Sequence, residues 1–487
     1  MQLKHASTTA SASFDDPNLV SSAGLVPIMA LAEKAGLRRL AQKWLSVPTD
    51  KGANAGLKVA SLVAGMVAGA DSIDDMAILR HGGMRKLFTA IYAPSTLGSF
   101  LRKFTFGHVR QLDAVAWRFL VNLAGLTGLF TTAGAATADA DGQPEVADAA
   151  GAAGSTEDTG YVFLDVDDTI IEVHGHQKQG SGYGYSGVRG INALLAIVST
   201  ATTAPIIVGQ RLRRGACGSP RGAKRLISDA LATLGRLPGL DGARVLFRAD
   251  SAYYGHAGIH AAITGGAHVS VTVRMNPAIR RAIETIPENA WQPIQYTNAI
   301  FDKDTNRWIS TAEVAEIDFT AFTSKKKSEH ITGRLVVRRI PELNKQDVHQ
   351  PTLFDTHRFH GFFTTSTLDT VTADKTHRAH AVIELVNSDL KNSALAHLPS
   401  GVFTANAAWL VLAAIAFNLT RAAATLTDTD LARATTGTIR RTLVNLPARI
   451  ATSARRIRLH LPQDWPWETA WTALFGHAYN PPGAAPI

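Results

Sequence analysis

The chain has 487 residues, of which 46% are hydrophobic, enough for two or three domains with buried cores. Lysine and arginine outnumber aspartate and glutamate by 49 to 40, so the net charge of +9 favours a polyanionic partner without deciding the fold or the reaction. The single cysteine, Cys217, excludes an internal disulfide and a cysteine-based zinc site, and it fits a reducing, cytoplasmic compartment. The first twenty residues lack the apolar core of a signal peptide, and the most apolar stretch, 405–417, is too short to span a bilayer. We therefore expect a soluble protein with no membrane partner.

The N-terminal part, residues 1–130, is predicted to be a helical domain, because apolar residues recur at helical spacing from residue 25 to about 126. The spacing predicts two short helices that meet around residues 104–107, within a basic cluster that includes Arg102, Lys103 and Arg110. This pair resembles a helix-turn-helix DNA reader, and an ordinary basic helical hairpin has the same spacing.

The composition changes abruptly at residues 131–160, which are rich in Ala, Gly, Asp and Thr and almost free of large apolar side chains. Such a segment cannot build a core, so we predict a flexible acidic linker. The stretch YVFLDVDDT, residues 161–169, follows directly and places Asp165, Asp167 and Asp168 within four positions. On a strand, Asp165 and Asp167 share one face. Buried carboxylates are costly without a cation, which indicates a metal site, although a strand that ends in an acidic turn has the same pattern.

The order of predicted elements after the linker is three strands, a helix, a strand, a helix and a strand. This order predicts a mixed α/β sheet and not a regular βαβ repeat. We expect a catalytic core over residues 161–275, a β-rich insertion over 276–369, the second part of the core over 370–425, and a basic helical tail over 426–487. The predicted strands are 161–169, 191–198, 205–208, 244–249 and 268–273, and the predicted helices are 219–234, 256–263 and 375–390.

Three carboxylates stand where such a fold could bring them together. Asp167 and Asp250 end two predicted strands, and Glu384 lies inside a predicted helix. Oxygen ligands of this kind suit Mg²⁺ or Mn²⁺ and not zinc. Two such ions would activate a water or a 3′-hydroxyl and stabilise the leaving oxygen in phosphodiester chemistry. The seven arginines between residues 433 and 460 could meet phosphates, or could form a solvated basic face.

These motifs together resemble the DDE transposases of bacterial insertion sequences. The resemblance rests on LDVDDT at 164–169, RADSAYYG at 248–255, and Glu384 followed seven positions later by Lys391, a spacing similar to that of a Tyr-Arg-Glu-Lys signature. The stretches HGHQKQG and STLGSFLRKFTFGHVRQLD resemble the insertion-sequence thirteen-eighty family in particular. The resemblance covers residues 20–460, approximately, and several separate motifs occur in the expected order.

The resemblance implies an RNase H-like core with a β insertion, two Mg²⁺ or Mn²⁺ ions, cleavage at terminal inverted repeats, and joining of the 3′ ends to target DNA. It also implies a homodimer or higher multimer bound to DNA in the bacterial cytoplasm. Asp167, Asp250 and Glu384 correspond to the family's catalytic carboxylates, and Asp165 is a further candidate metal ligand.

The same resemblance implies DNA contacts from Lys391, Arg378, His380 and Arg248. There is a departure here, because His377 and His380 occupy the positions of the signature's Tyr and Arg. Lys391 could equally be an exposed helix lysine. Tyr253 and Tyr254 are candidates for stacking on bases or for ordinary packing.

Two other functions fit parts of the chain. Asp165, Asp167 and Thr169 satisfy the Asp-x-Asp-x-Thr motif of haloacid-dehalogenase-like phosphatases, in which Asp165 would be the nucleophile and Asp167 the general acid/base. That class also needs a Gly-Asp-x-x-x-Asp type loop, which the sequence lacks. The second alternative is a DNA-binding remnant that has lost catalysis, against which the presence of all three carboxylates argues.

Overall fold

The protein is described by a computed structural model that covers residues 10–48, 50–130, 159–175, 177–302, 307–341, 357–454 and 456–479. The predicted linker at 131–160 lies almost wholly outside these residues.

The described chain before residue 131 is helical apart from one short strand, β1 (Leu19–Val20). Its helices are α1 (Leu25–Lys34), α2 (Leu37–Trp44), α3 (Ala55–Ala68), α4 (Met84–Leu87), α5 (Pro94–Arg102) and α6 (Phe106–Thr127).

The helices α5 and α6 meet at residues 103–105, as the spacing predicts, but α6 is not a short helix. It has 22 residues, and its apolar side, which includes Val109, Phe119 and Leu123, is buried. The apolar residues continue at helical spacing over the whole length, so the helix extends far into the core. His108 helps to start α6, because its ring Nδ1 accepts the backbone N–H of Thr105 at 3.1 Å.

A large mixed sheet forms the centre of the molecule, which confirms the prediction of a mixed α/β fold. Helices α7 (Ala223–Leu234), α8 (His256–Thr264) and α9 (Pro277–Glu284) belong to the same part of the chain. The strands of the sheet are β2 (Tyr161–Glu172), β3 (Gly182–Tyr183), β4 (Arg189–Ser199), β5 (Ile206–Arg214), β6 (Arg244–Ala249), β7 (His268–Thr272), β8 (Gln292–Asp302), β9 (Arg307–Ala321), β10 (Ile331–Pro341) and β11 (His357–Thr364).

The order of the strands places β2 in the middle of the five core strands. β2 runs antiparallel to β4 and parallel to β6, while β5 pairs antiparallel with β4 and β7 pairs parallel with β6. The order β5–β4–β2–β6–β7 is compatible with an RNase H-like core. β6 runs parallel to β2 with Arg248 opposite Asp165, so β6 ends at Ala249 beside the interior of β2, which continues to Glu172.

The β-rich insertion continues this same sheet. β11 pairs antiparallel with β7, and β10, β9 and β8 follow in turn. The insertion begins with the helix α9, capped by Asn276, whose side chain accepts the N–H groups of Ala278 and Ile279.

The remaining helices follow the insertion and contain the third carboxylate. A small sheet joins β1, β12 and β13 in that order. The helices are α10 (Thr370–Arg378), α11 (Val382–Lys391), α12 (Phe403–Thr425), α13 (Thr436–Ile439) and α14 (Glu468–Tyr479), and the strands are β12 (Ala448–Ser453) and β13 (Arg456–His460).

The arginine-rich tail is not wholly helical as predicted, because β12 and β13 form an antiparallel hairpin. Apolar residues alternate with polar ones in this segment: Ile450 is buried, whereas Arg449, Arg456 and Arg458 are exposed. Alternation with a period of two favours a half-buried strand over a helix.

The helix α12 is the longest apolar element among the described residues. It has 23 residues and would be long enough to cross a membrane, which corrects the expectation that this stretch is too short. Of its most apolar 18-residue window, 94% is buried inside the protein, and the helix packs against α6 and α3 from the N-terminal part and against β5 of the sheet. These contacts are those of a core helix.

Candidate active site

The acidic run of β2 lies within the strand and not at its end. β2 continues to Glu172, because the β-branched residues Thr169, Ile170 and Ile171 pair with β4. Asp168 therefore lies on the strand, and the alternative of a strand that ends in an acidic turn is excluded. Asp167 and Asp168 point to opposite faces of the sheet.

Asp250 directly follows the last residue of β6, and the pairing of Arg248 with Asp165 brings it beside Asp167. Its Oδ1 accepts the backbone N–H of Ala252 at 2.9 Å, which begins a tight turn at Ser251–Tyr253. The carboxylate is thereby held at the end of the strand by its own loop.

Glu384 lies in the first turn of α11 and is exposed. The predicted helix over 375–390 is interrupted by a 3₁₀ turn at Ala379–Ala381. In this turn the His380 ring Nδ1 donates to the backbone carbonyl of His377 at 2.9 Å, an acceptor that a continuous α-helix would use for its own N–H groups. α11 packs on β2, which brings Glu384 toward the sheet edge.

The three carboxylates are near enough for their charges to interact. Burial raises the pKa of Asp167 to about 7, and the negative charges of Asp250, Asp168 and Glu384 add to this effect. Burial also raises the pKa of Asp250, with a further contribution from Asp168, while His380 opposes it. Carboxylates that repel one another in this way favour a bound cation.

Two residues of α11 lie beside Asp167. The Asn387 amide Nδ2 donates to Asp167 Oδ2 at 3.3 Å. Burial lowers the pKa of the Lys391 ammonium, and the negative charge of Asp167 opposes that shift, so Lys391 lies near the carboxylates. Asn387 is three residues after Glu384, so the two side chains are neighbours on the helix surface. This spacing is a signal in the sequence from which Asn387 could have been predicted as a site residue.

Asp168 occupies a separate, fully bonded position on the other face of β2. It accepts hydrogen bonds from the Tyr253 hydroxyl and the Asn192 amide, and the Arg213 guanidinium lies 3.0 Å from its Oδ2. Tyr253 is buried, so it packs and bonds inside the protein and does not offer its ring to a base. Asp168 and Tyr253 thus join β2 to the loop that carries Asp250.

Asp165 and Arg248 form a buried ion pair, which corrects two predictions. Arg248 donates from Nε to Asp165 Oδ1 at 2.7 Å and from Nη2 to Oδ2 at 2.8 Å, and both side chains are 1% exposed. A third bond runs from Arg248 Nη1 to the Thr376 carbonyl. Because both oxygens of Asp165 are occupied, we do not retain it as a metal ligand, and Arg248 is too deeply buried to contact DNA.

The histidine at the Tyr position of the expected signature has a structural role. His377 is buried, stacks on Phe362 with 4.1 Å between ring centroids, and bonds to the hydroxyls of Ser270 and Thr272 at 2.9 Å. Burial holds its pKa well below the ordinary value, so the ring is neutral. The neighbouring Arg378 pairs with Asp374 at 2.8 Å.

The other predicted DNA contacts lie on α6 and at the end of α5. Arg110 forms ion pairs with Asp113 at 3.1 Å and Asp229 at 3.4 Å, so it joins α6 to α7. Arg102 and Lys103 are exposed at the end of α5.

The donor set fits Mg²⁺ or Mn²⁺ by its chemistry, because Asp167, Asp250 and Glu384 offer only carboxylate oxygens. Within the part of the chain that the structure describes, no three Asp, Glu, His or Cys side chains converge closely enough to hold an ion. Side-chain movement of the exposed Asp250 and Glu384 would be needed to bring the oxygens onto a common cation.

Comparison with known proteins identifies the family of the chain. The family model described as "Transposase DDE domain group 1" matches residues 126–478, which is most of the chain and a range that includes the three carboxylates. No curated protein sequence matches the chain. The resemblance to DDE transposases is thereby confirmed, and the chain belongs to the DDE transposase family.

Proposed function

We propose that this transposase cleaves DNA at the terminal inverted repeats of its element and joins the freed 3′ ends to target DNA. Asp167, Asp250 and Glu384 would be the ligands for two Mg²⁺ or Mn²⁺ ions. The observation that carries the proposal is the position of Asp167 on β2 beside the end of β6, which Asp250 follows, and under α11, which contains Glu384. Burial, together with the charges of Asp250 and Glu384, raises the pKa of Asp167 to about 7.

The metal ions, when bound, would activate the attacking water or 3′-hydroxyl and stabilise the leaving oxygen. The protein's own groups would orient the ligands and the DNA. Asn387 holds Asp167 Oδ2, and the Ala252 N–H holds Asp250 Oδ1. Lys391, whose ammonium interacts with the charge of Asp167, and His380, which interacts with that of Asp250, would bind DNA phosphates.

The partners follow from the family, which acts on DNA. We propose a homodimer or higher multimer that binds both element ends, in the cytoplasm at the nucleoid. The N-terminal helices, with Arg102 and Lys103, would read the repeat. Membership of the insertion-sequence thirteen-eighty family and the predicted domain boundaries are parts of the same proposal.

The phosphatase alternative conflicts with the position of Asp165. A nucleophile must reach its substrate, but Asp165 is buried and bonded twice to Arg248. The other alternative, a DNA-binding remnant that has lost catalysis, is distinguished from an active transposase by the cleavage experiment below.

The test is cleavage of a labelled terminal-repeat duplex with Mg²⁺ and with EDTA. Alanine at Asp167, Asp250 or Glu384 should abolish Mg²⁺-dependent cleavage and leave DNA binding largely intact. Asp241→Ala, which removes an exposed carboxylate before β6 begins, is the control and should cleave normally. Normal cleavage by any of the three variants would disprove that assignment, and binding without cleavage by the unaltered protein would favour the remnant.

A further inference from the structure

The tip of the β9–β10 hairpin, residues 322–330, carries three consecutive lysines. Lys325, Lys326 and Lys327 are all exposed. Lys325 has a carboxylate partner, Glu329, at 3.6 Å. Among the residues that the structure describes, Lys326 and Lys327 have no carboxylate within ion-pair distance. The tip therefore presents two unneutralised positive charges, those of Lys326 and Lys327, at one point of the surface.

The tip is fastened to the loop that follows Asp250. The Phe322 ring stacks on Tyr254, with 5.4 Å between centroids and 27° between planes, and it meets the His256 ring edge-on at 5.4 Å. Tyr254 directly follows the turn Ser251–Tyr253, and His256 begins α8. Two aromatic contacts thus connect the lysine tip to the segment that positions Asp250.

Phe322 holds this position at a conformational cost. Its φ is 64°, in the left-handed region that an aromatic residue rarely adopts. The conformation starts the tip, because the Phe322 carbonyl accepts the Lys325 N–H at 2.9 Å. A strained residue persists only where its surroundings hold it, and here these surroundings are the rings of Tyr254 and His256.

A second exposed cation contacts the same loop. Arg274, just after β7, donates from Nε to the Ser251 carbonyl at 3.3 Å. The loop after Asp250 is therefore bordered by Arg274 and by the lysine tip, from different elements of the chain.

We propose that the lysine tip binds the DNA backbone beside the candidate active site. Phe322 positions the tip through its contacts with Tyr254 and His256. Positive charges fixed near a phosphodiester-cleaving centre match the charge of the DNA that must pass there. The inference rests on the proposed function, since it assumes that the DNA lies over the edge of the sheet that carries Asp250.

The test is the salt dependence of binding to a 40-base-pair duplex of random sequence, measured by fluorescence anisotropy in EDTA. For Lys326→Gln/Lys327→Gln, the slope of log K against log salt concentration should become less steep by about 1.8, because each phosphate contact contributes about 0.9. Binding in EDTA does not depend on metal or cleavage, so failure here is separate from failure of the proposed chemistry.

The control is Arg225→Gln/Arg236→Gln, which removes two exposed charges on and just after α7 and should leave the slope unchanged. An unchanged slope for the lysine variant, or an equal change in the control, would overturn the proposal. Phe322→Ala keeps all three lysines and should raise the Kd for the same duplex several-fold. An unchanged Kd for this variant, with a normal circular dichroism spectrum, would show that Phe322 does not position the lysine tip for DNA binding.

Discussion

The three aspartates of β2 differ in their roles because their bonding partners differ. Asp165 is neutralised by Arg248, and Asp168 by Arg213 with Tyr253 and Asn192. Asp167 has a weaker set of bonds, with the Asn387 amide at 3.3 Å, and it lies among other carboxylates. A buried carboxylate without a counter-charge is the one whose charged form a bound cation stabilises most.

The raised pKa of Asp167 predicts a pH dependence of stability. Its pKa is about 7 in the folded protein, against an ordinary value of 3.8 for an aspartate in water, so the folded state binds the extra proton between these values. The contribution to stability is present at low pH and is lost as the pH rises through about 7. Asp167→Asn keeps the side chain neutral, and we expect it to raise the free energy of unfolding at pH 8 by about 1–3 kcal/mol.

Urea unfolding in EDTA at pH 5 and pH 8 measures this effect, with Asp241→Asn as the control that should change neither value. A variant that is less stable than the unaltered protein at pH 8 would contradict the prediction.

The buried pair of Asp165 and Arg248 predicts a large loss of stability when one partner is removed. Arg248→Met leaves a buried carboxylate without its counter-charge, and we expect a cost of about 3–5 kcal/mol in the free energy of unfolding. The comparison is Arg449→Met, which removes an exposed pair with Asp16 at 3.1 Å and should cost less than about 1 kcal/mol. Similar costs for both variants in chemical unfolding would be inconsistent with this interpretation.

At the scale of elements, the loop after β6 is positioned by a neighbouring strand. The Tyr253 hydroxyl donates to Asp168 on β2, so the turn that carries Asp250 is fixed at two points. Partners that orient metal ligands influence metal affinity through geometry. Asp168 and Tyr253 are therefore positioning residues in the proposed site.

Tyr253→Phe should weaken Mn²⁺ binding by about 10-fold, because the loop loses its bond to Asp168. Titration of Mn²⁺ followed by electron paramagnetic resonance measures the affinity without any turnover. Tyr254→Phe keeps the ring that stacks on Phe322 and should bind Mn²⁺ as the unaltered protein does. Equal affinities for the two variants would show that the bond to Asp168 does not position Asp250.

Across the whole molecule, α12 links the N-terminal helices to the sheet. It contacts α6 and α3 on one side and β5 on the other, and the Asn418 side chain bonds to both the N–H and the carbonyl of Ile207 at 2.9 and 2.7 Å. The hydrophobic core therefore runs across the predicted boundary at residue 130.

A protein that starts at residue 131 should consequently fold poorly, because α12 would expose the apolar surface that α6 and α3 cover. We expect strong binding of the dye ANS and rapid proteolysis of this shortened protein. A protein that starts at residue 10 is the control and should behave like the full chain. A compact, protease-resistant product from residue 131 onward would show that the sheet is stable without the N-terminal helices.

The sequence by itself determined the family, the mixed α/β fold and the succession of strands and helices along the core, because these depend on local periodicity and on motifs read along the chain. It did not determine which acid of the run at 165–168 has a counter-charge, since Arg248 and Arg213 reach Asp165 and Asp168 only through strand register. Similarly, the alternation in the arginine-rich tail was present in the sequence, but β1 and its pairing with β12 made it part of a sheet. Local patterns decide which elements form, whereas contacts between distant residues decide which carboxylates remain available to a cation.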